Sequence, residues 1–227
     1  MSAIERDFDH LAQFDEPGWT GNNHYHDFLL RSVPAHCHHA LEIGCGKGGF
    51  SRRLASRATH VTAIDLSSEM IRVARSRSSD FANIQFEVAD FITSEFAEGQ
   101  FDCIATIATL HHLPTRAALV KLKRALRSGG TLLVLDLFEP ERNLLTTKGL
   151  SDAFLNLVAM GTSCTLRLMH NGHLRPPAEV RAAWDAHGRS DSYLTMDDVH
   201  QTYGSMFPGV VIRKHLLWRY SAVWRKA

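Results

Sequence analysis

A glycine-rich turn constrains the fold more than any other feature of this 227-residue sequence. Residues 41–50 read Leu-Glu-Ile-Gly-Cys-Gly-Lys-Gly-Gly-Phe, after a short apolar strand predicted at 40–43 and before a helix predicted at 50–56. Glycines let the backbone approach a ligand closely, and the first turn of a helix offers free N–H groups. A strand, a glycine turn and a helix in this order predict an α/β fold that binds a ligand at its strand ends.

The chain up to Pro140 repeats the alternation of strand and helix. Apolar runs predict further strands, and apolar residues at helical spacing predict further helices. The strands are predicted at 61–64, 84–88, 101–107 and 131–137, and the helices at 69–77 and 116–126. This alternation predicts right-handed βαβ units and a parallel sheet covered by helices on both faces.

The pattern changes after Pro140, where helical stretches at 153–159 and 178–186 are separated by Pro176 and Pro177. Such an insertion near the strand ends is expected to shape a substrate pocket. A helix at 195–203 and an antiparallel pair of strands at 210–217 and 220–224 are predicted to close the fold. We therefore expect a single domain with four parts: an N-terminal arm with a lid helix (1–33), a ligand-binding core (34–140), the insertion (141–194), and a closing helix and hairpin (195–227).

The charge balance argues against nucleic acid as a partner. Lys and Arg number 25 and Asp and Glu number 24, whereas a nucleic-acid-binding domain carries a basic excess. The basic, aromatic stretch 213–220 is explained equally well by an edge hairpin. We expect a small-molecule partner and a monomer or homodimer.

The sequence also predicts a cytoplasmic protein without a membrane span. The N-terminus has no apolar leader segment, and the longest apolar stretch, around 131–138, is too short to cross a bilayer. Four scattered cysteines without a Cys-x-x-Cys pair fit a reducing compartment. No metal site is expected, because the consecutive residues His36, Cys37, His38 and His39 cannot all point at one ion.

Three acidic residues mark the strand ends near the glycine turn. Glu42 precedes the first glycine, where a carboxylate repels a diphosphate but suits a cationic ligand. Asp65 ends the second strand, where it can accept hydrogen bonds from both hydroxyls of a ribose, although it could also cap the next helix. Asp90 ends the third strand, where it can accept from an exocyclic amine while Phe91 packs on a purine. This series predicts an adenosine-containing ligand with a positive charge.

With these residues, the chain resembles a class I S-adenosylmethionine-dependent methyltransferase. The resemblance rests on the glycine turn with Glu42, the stretch 65–70, Asp90, Leu-His-His-Leu at 110–113, and 126–131, and it is strongest to the small-molecule branch of quinone and natural-product enzymes. It implies a doubly wound, Rossmann-like sheet of seven strands, mostly parallel with one antiparallel strand, with helices on both faces and a helical insertion after strand five. Lys47 departs from the family, which often has a small or acidic residue at that position.

The resemblance implies S-adenosylmethionine as cofactor. The glycine turn would hold its methionine part, Asp65 its ribose, and Asp90 with Phe91 its adenine. The residues implied in cofactor binding are Glu42, Gly44, Cys45, Gly46, Gly48, Asp65, Leu66, Met70, Asp90, Phe91, Ile107 and His112.

Two residues are candidates for catalysis. His112 follows the fourth strand at the ligand-binding edge and is predicted to act as a general base or to orient the acceptor. Packing within the turn would equally explain a histidine there. Tyr25, in a helix predicted at 24–32, either closes over the cofactor or packs against the body. Asp136, at the end of the fifth strand, is a weaker candidate acid or base.

These features predict methyl transfer to a small-molecule acceptor, at oxygen or nitrogen. The principal alternative is an enzyme of the same fold that cleaves or cyclises S-adenosylmethionine to give methylthioadenosine. A binding-only protein and a nicotinamide dehydrogenase are disfavoured, because the acidic series is intact and Glu42 opposes a diphosphate. The acceptor itself cannot be deduced from any motif.

Overall fold

Seven strands form one sheet in the order β3-β2-β1-β4-β5-β7-β6. The computed structural model describes residues 2–14, 18–189 and 191–227. The strands are β1 (Cys37–Ile43), β2 (Ala58–Asp65), β3 (Ile84–Val88), β4 (Phe101–Ile107), β5 (Leu126–Leu137), β6 (Val211–Lys214) and β7 (Arg219–Arg225). β1 to β5 pair in parallel, and β7 is antiparallel to both β5 and β6. The predicted sheet, with its one antiparallel strand and its closing hairpin, is confirmed.

Eight α-helices surround this sheet in the described part of the chain. They are α1 (Ala3–Ala12), α2 (His26–Leu30), α3 (Gly49–Leu54), α4 (Ser68–Ser76), α5 (Thr115–Ala125), α6 (Thr147–Asn171), α7 (Ala178–His187) and α8 (Met196–Met206). Short 3-10 turns at Asn23–Tyr25 and Leu110–His112 complete the elements that matter for the site. The predicted insertion after strand five corresponds to α6 and α7.

Two apolar layers cover the faces of the sheet because side chains alternate along each strand. On β5, Leu132 and Val134 pack into one layer, whereas Leu133 and Leu135 pack into the other. These four side chains are at most 1% exposed. A strand buried on both faces explains why the sequence of β5 is continuously apolar from 132 to 135.

The N-terminal arm forms two helical parts. Residues 1–23 are expected from the sequence to form an arm or a short helix, and α1 forms there, with a capping box in which Ser2 and Glu5 satisfy each other's backbone N–H. The helix predicted at 24–32 is divided into the 3-10 turn Asn23–Tyr25 and the short α2. The helix available to cover the strand ends is therefore α1.

Among the described residues, no helix combines the length and the apolar character that a bilayer crossing requires. The four cysteines are free.

Candidate active site

The glycine turn forms the centre of the strand edge. The backbone N–H groups of Gly44 and Cys45 donate to the carbonyl of Ile64, at 2.9 and 3.0 Å, which ties the turn to β2. Gly44 has φ +68°, and a Cβ there would lie 2.2 Å from Oγ1 of Thr109, so only glycine fits. A Cβ on Gly46, at φ +50°, would meet nothing within 4 Å. The turn is therefore closed against the protein at Gly44 and open to a ligand at Gly46.

Asp65 fastens this turn to the end of β2. Its Oδ2 accepts from Gly46 N at 2.8 Å, and its Oδ1 accepts from Ser67 N at 2.9 Å. Burial raises the pKa of Asp65, and these backbone hydrogen bonds oppose the rise. The residue that caps α4 is Ser67, whose Oγ accepts from Met70 N. Asp65 thus braces the loop and remains beside Gly46, where the loop is open.

Glu42 lies beneath the turn and is only 2% exposed. Ser51 Oγ, on α3, donates to its Oε2. Burial raises the pKa of this carboxyl to about 8, although the Ser51 hydrogen bond acts in the opposite direction. Without a cationic ligand, Glu42 is therefore protonated at neutral pH.

Asp90 lies just after β3, where its Oδ1 accepts from Ile92 N at 2.8 Å. The ring of Phe91 is 3% exposed and stacks on Phe96 at 5.8 Å between centroids. The structure therefore places Phe91 in the core behind the strand end, and Asp90 at the edge in front of it.

The other implied cofactor residues surround the turn at different depths. Cys45 is buried, and burial raises the pKa of its thiol well above the ordinary value. Met70 packs against Leu11 and Ala12 of α1. Gly48 has φ +73° and begins α3 as its N-cap. Leu66 and Ile107 are half-buried.

Helix α1 covers the glycine turn and the start of α4, and we call it the lid. Asp9 Oδ1 accepts from Ser67 Oγ at 2.6 Å, and Lys47 Nζ donates to the carbonyls of Leu11 and Phe14 at the end of α1. Lys47, the residue that departs from the family pattern, therefore joins the glycine turn to the lid.

A second group of polar side chains lies at the ends of β4 and β5. His111 Nδ1 donates to Asp136 Oδ1 at 2.6 Å, and His111 N donates to Asp136 Oδ2 at 3.1 Å. The two side chains are 7% and 3% exposed. Because Nδ1 faces Asp136, Nε2 of His111 faces the rest of the group, with Asp191 Oδ2 at 3.9 Å.

Asp191, which follows α7, completes this group. Its Oδ1 is 3.4 Å from His112 Nδ1, and its Oδ2 is 3.9 Å from both His111 Nε2 and His187 Nε2. Tyr193 Oη donates to Asp191 Oδ2 at 2.8 Å. We call His111, His112, Asp136, His187 and Asp191 the histidine cluster.

His112 is enclosed by this cluster and by the lid. Its side chain is 8% exposed, and the ring of Phe8 on α1 packs against it edge-on at 5.5 Å. Burial, and then the neighbouring His111, lower the pKa of His112 to about 4, while Asp191 opposes the change. The imidazole is therefore neutral at pH 7 and has a lone pair available.

Tyr25 lies apart from the glycine turn. Its hydroxyl donates to the carbonyl of Leu216 at 2.6 Å, and its ring tilts against His215 at 4.9 Å. Burial raises the pKa of Tyr25, and the charge of Arg219 lowers it. The hydroxyl thus holds the N-terminal arm against the segment between β6 and β7.

A pocket of about 570 Å³ opens between α1 and α7. Asp7, His10 and Phe14 line it on one side, and Glu179 and His187 line it on the other. His187 also belongs to the histidine cluster, so the pocket lies next to it.

Comparison with known proteins identifies the family. A methyltransferase-domain model matches residues 40–130, from β1 into β5. Over 212 residues, the chain is 30% identical to an uncharacterized methyltransferase of Mycobacterium tuberculosis, covering 93% of this chain and 98% of the relative. The chain belongs to the class I S-adenosylmethionine-dependent methyltransferases.

Two further similarities extend this result. The methyltransferase is 33% identical over 172 residues to a ubiquinone biosynthesis O-methyltransferase of Xylella fastidiosa, covering 71% of this chain and 64% of the relative. Its fold matches the N-methyltransferase NodS of Bradyrhizobium japonicum in complex with S-adenosylhomocysteine, with a TM-score of 0.60, 18% identity and 99% of each chain covered. S-adenosylmethionine is the methyl donor.

The glycine turn of the methyltransferase suits this donor. Gly46 leaves open space at the strand edge, and the buried acids Glu42 and Asp65 lie around it. Lys47, the cation of the turn, is turned away to the carbonyls of α1. Acidic groups around an open loop fit a sulfonium and an ammonium group better than a diphosphate.

The sequence did not predict a role for Asp191, His187 or Tyr193. All three come from the insertion or its end, where no strand or glycine turn marks a site. It also gave Asp136 a lesser role than its position suggests, because the hydrogen bond to His111 is a tertiary contact. His38 and His39, in contrast, lie on β1 and donate backbone N–H groups to Asp102.

Proposed function

We propose that this methyltransferase transfers a methyl group to a hydroxyl oxygen of a small organic acceptor bound at the histidine cluster. The observation that carries the proposal is the position of the neutral, buried His112. It lies at the end of β4, the strand beside β1 with its glycine turn, and beneath the lid helix α1. Donor and acceptor would meet at this shared edge.

In this proposal, the donor is held on the β1–β3 side of the edge by the residues that the sequence implies. Asp65 and Asp90 lie at the ends of β2 and β3, and Gly46 leaves the space for close backbone approach. The donor supplies an already activated methyl group. The protein must then align an acceptor oxygen with that group and remove the proton from the oxygen.

His112 is the residue proposed to contact the acceptor. A neutral imidazole accepts a hydrogen bond from a hydroxyl and so orients the oxygen lone pair. The proton of the acceptor hydroxyl would pass to His112, and the neighbouring carboxylates of Asp191 and Asp136 would stabilise the imidazolium that forms. Tyr25 is proposed as a positioning residue and not as a catalytic one. Its hydroxyl is occupied by the hydrogen bond to the carbonyl of Leu216, which holds the N-terminal arm in place.

Two observations favour a small acceptor and an oxygen atom. The pocket between α1 and α7 has the volume of a site for a small organic molecule. One relative that covers 71% of the chain is a ubiquinone biosynthesis O-methyltransferase. Helix α7 of the insertion, which lines one side of the pocket, would determine which acceptor enters.

A paired acceptor library tests this proposal. The protein is incubated with methyl-labelled S-adenosylmethionine and with matched phenols, alcohols, carboxylic acids and amines, and methylated products are identified by mass spectrometry. We expect labelled ethers or esters from hydroxyl-bearing members. Methylation confined to the amine analogues would overturn the choice of oxygen.

A further inference from the structure

The histidine cluster has the composition and the spacing of a metal site. His111, His112 and Asp191 each offer one ligand atom, and these atoms all lie within 4.8 Å of one another in the described part of the chain. The three side chains are only 6–8% exposed. Two nitrogen ligands and one carboxylate oxygen, with positions left open, are the donor set that divalent transition metals use in enzymes.

The distances permit binding with small side-chain movements. Ligand atoms about 2.1 Å from a common ion are roughly 3–3.5 Å apart in tetrahedral or octahedral geometry. His112 Nδ1 and Asp191 Oδ1 are 3.4 Å apart, and His111 Nε2 and Asp191 Oδ2 are 3.9 Å apart. The three ligand atoms all lie within 4.8 Å of one another, so side-chain movements of roughly 1–2 Å bring them onto one ion.

The surroundings of the three ligands orient them as metal ligands require. His111 Nδ1 donates to Asp136, which leaves Nε2 facing Asp191 as the ligand atom. Tyr193 donates to Asp191 Oδ2 and fixes the plane of that carboxylate. Histidine ligands in metalloproteins characteristically make this carboxylate hydrogen bond through their second nitrogen.

The three ligands come from two separate parts of the chain. His111 and His112 belong to the turn after β4, whereas Asp191 follows α7 of the insertion. An ion would therefore connect the insertion to the core next to the pocket that His187 lines.

We propose that His111, His112 and Asp191 bind one divalent transition-metal ion, of the Zn²⁺, Fe²⁺ or Co²⁺ type, which coordinates the oxygen of the acceptor. Imidazole nitrogens favour these ions over Mg²⁺, which prefers oxygen ligands alone. The role at the acceptor rests on the proposed function, whereas metal binding does not. The ion lowers the pKa of the coordinated hydroxyl, the proton passes to water, and the oxygen stays bound as an alkoxide or phenolate. In the metal-bound protein, His112 acts on the acceptor through the ion.

Direct binding measurements test the site. The untagged chain is stripped with a chelator, dialysed, and titrated by calorimetry with Zn²⁺, with Mg²⁺ as the comparison. Co²⁺ is added in parallel, and its visible absorption reports nitrogen and oxygen coordination. We expect one Zn²⁺ per chain, a Co²⁺ spectrum that Zn²⁺ abolishes, and far weaker binding of Mg²⁺.

Variants assign the site to the three residues. Asp191→Asn and His112→Ala are each expected to weaken Zn²⁺ binding by at least about 100-fold, because changes to outer residues alone cost 10–100-fold. Tyr193→Phe, which removes only the hydrogen bond to Asp191, is expected to weaken it by about 10-fold or more. The matched controls are His173→Ala and Asp185→Asn, which change exposed residues of the insertion and should leave the affinity unchanged.

Two outcomes overturn the inference. One is the absence of stoichiometric binding by the wild-type chain. The other is Zn²⁺ affinity that Asp191→Asn and His112→Ala leave intact while both variants stay folded by circular dichroism. Either result would make the cluster a hydrogen-bonded network without an ion.

The activity assay keeps this inference separate from the proposed function. Methyl transfer to a hydroxyl that continues at full rate in a chelator, with no ion bound, supports the proposed function and overturns the metal site. Stoichiometric Zn²⁺ binding without methylation of any hydroxyl acceptor supports the metal site and overturns the oxygen acceptor.

Discussion

The sheet edge has a proposed donor side, at the ends of β1 to β3, and a proposed acceptor side, at the ends of β4 and β5. These two sides are assembled differently. On the donor side, Asp65 reaches Gly46 from the end of the neighbouring strand, and both residues lie next to a strand end in the sequence. On the acceptor side, Asp191 approaches His112 from the insertion, far along the chain. The difference suggests that the donor site is a property of the sheet, whereas the acceptor site depends on how the lid and insertion pack on it.

The largest expected effect is a loss of kcat, without a loss of affinity for the donor product, when the acceptor side alone is changed. His112→Ala should lower kcat by about 10²–10⁴-fold, because the acceptor loses the group that orients and deprotonates it. Its affinity for S-adenosylhomocysteine should stay within about twofold of wild type, because Asp65, Asp90 and the glycine turn are untouched. Steady-state kinetics and calorimetry measure the two quantities. The control is His173→Ala, an exposed histidine of the insertion.

The opposite outcome would show that the division into a donor side and an acceptor side is wrong. If His112→Ala has near-normal kcat but binds S-adenosylhomocysteine poorly, then His112 belongs to the donor side and the acceptor lies elsewhere.

The next effect tests the donor side by binding. Asp65→Ala should weaken binding of S-adenosylhomocysteine by about 1.5–3 kcal/mol, the range for hydrogen bonds to a charged group. Calorimetry measures the loss. The temperature is kept below the unfolding transition of the variant, because the substitution also removes the hydrogen bonds that Gly46 N and Ser67 N donate to Asp65. Asp80→Ala, on the exposed segment after α4, is the control. Unchanged affinity would remove Asp65 from the donor site.

A third prediction uses the buried acid of the donor side. The pKa of Glu42 is about 8 in the folded chain and 4.5 in its reference state, so the folded chain holds the extra proton between these values. The free energy of unfolding should therefore fall as pH rises through this interval, by at most about 1.4 kcal/mol per pH unit. The pKa of His26 and of His112 is lowered to about 4 in the folded chain, so the unfolded chain binds more protons at these two residues near pH 6.5. They therefore oppose the Glu42 slope there and add little above about pH 7.

Urea unfolding at pH 7.0 and 8.0, where the histidine contribution is small, checks this slope. Glu42→Gln, which cannot ionise, should abolish most of the decline, whereas Glu98→Gln, at an exposed position, should retain it. A decline equal to that of wild type in Glu42→Gln would assign the proton to another group.

The smallest expected effect concerns the lid that both sides share. Lys47→Met removes the bonds from the glycine turn to the carbonyls of Leu11 and Phe14. We expect α1 to lose about 1 kcal/mol of protection, the ordinary net value of a hydrogen bond. Hydrogen exchange of residues 3–12 measures it, with Arg72→Met, an exposed residue of α4, as the control. Equal protection in the two variants would show that packing alone holds the lid.

The same comparison explains what the sequence could predict of the fold. β3 and β4 begin and end where predicted, because apolar runs there are bounded by turn residues. β5 begins earlier than predicted, at Leu126, because Arg127 to Gly130 do not resemble a strand and are held by tertiary pairing. In that pairing, Gly129 N donates to Lys226 O, and Lys226 N donates to Gly130 O.

The candidate site shows the same contrast between positions that local sequence marks and positions that tertiary packing creates. The strand-end positions of Asp65 and Asp90 were predictable, because apolar strands and the glycine turn mark them in the sequence. Asp191 and Tyr193 were not, because only the packing of the insertion brings them to His111 and His112. Helix α6 was predicted too short, since Gly149 and Gly161 interrupt its helical pattern without breaking the helix.

The fate of the donor tests the central claim most directly. The purified chain is incubated with methyl-labelled S-adenosylmethionine, first alone and then with hydroxyl-bearing acceptors, and all products are followed by mass spectrometry. We predict that the donor persists alone and that the label moves to an acceptor oxygen as S-adenosylhomocysteine accumulates. Decay of the donor alone to methylthioadenosine would contradict methyl transfer and assign the fold to a chain that cleaves or cyclises S-adenosylmethionine.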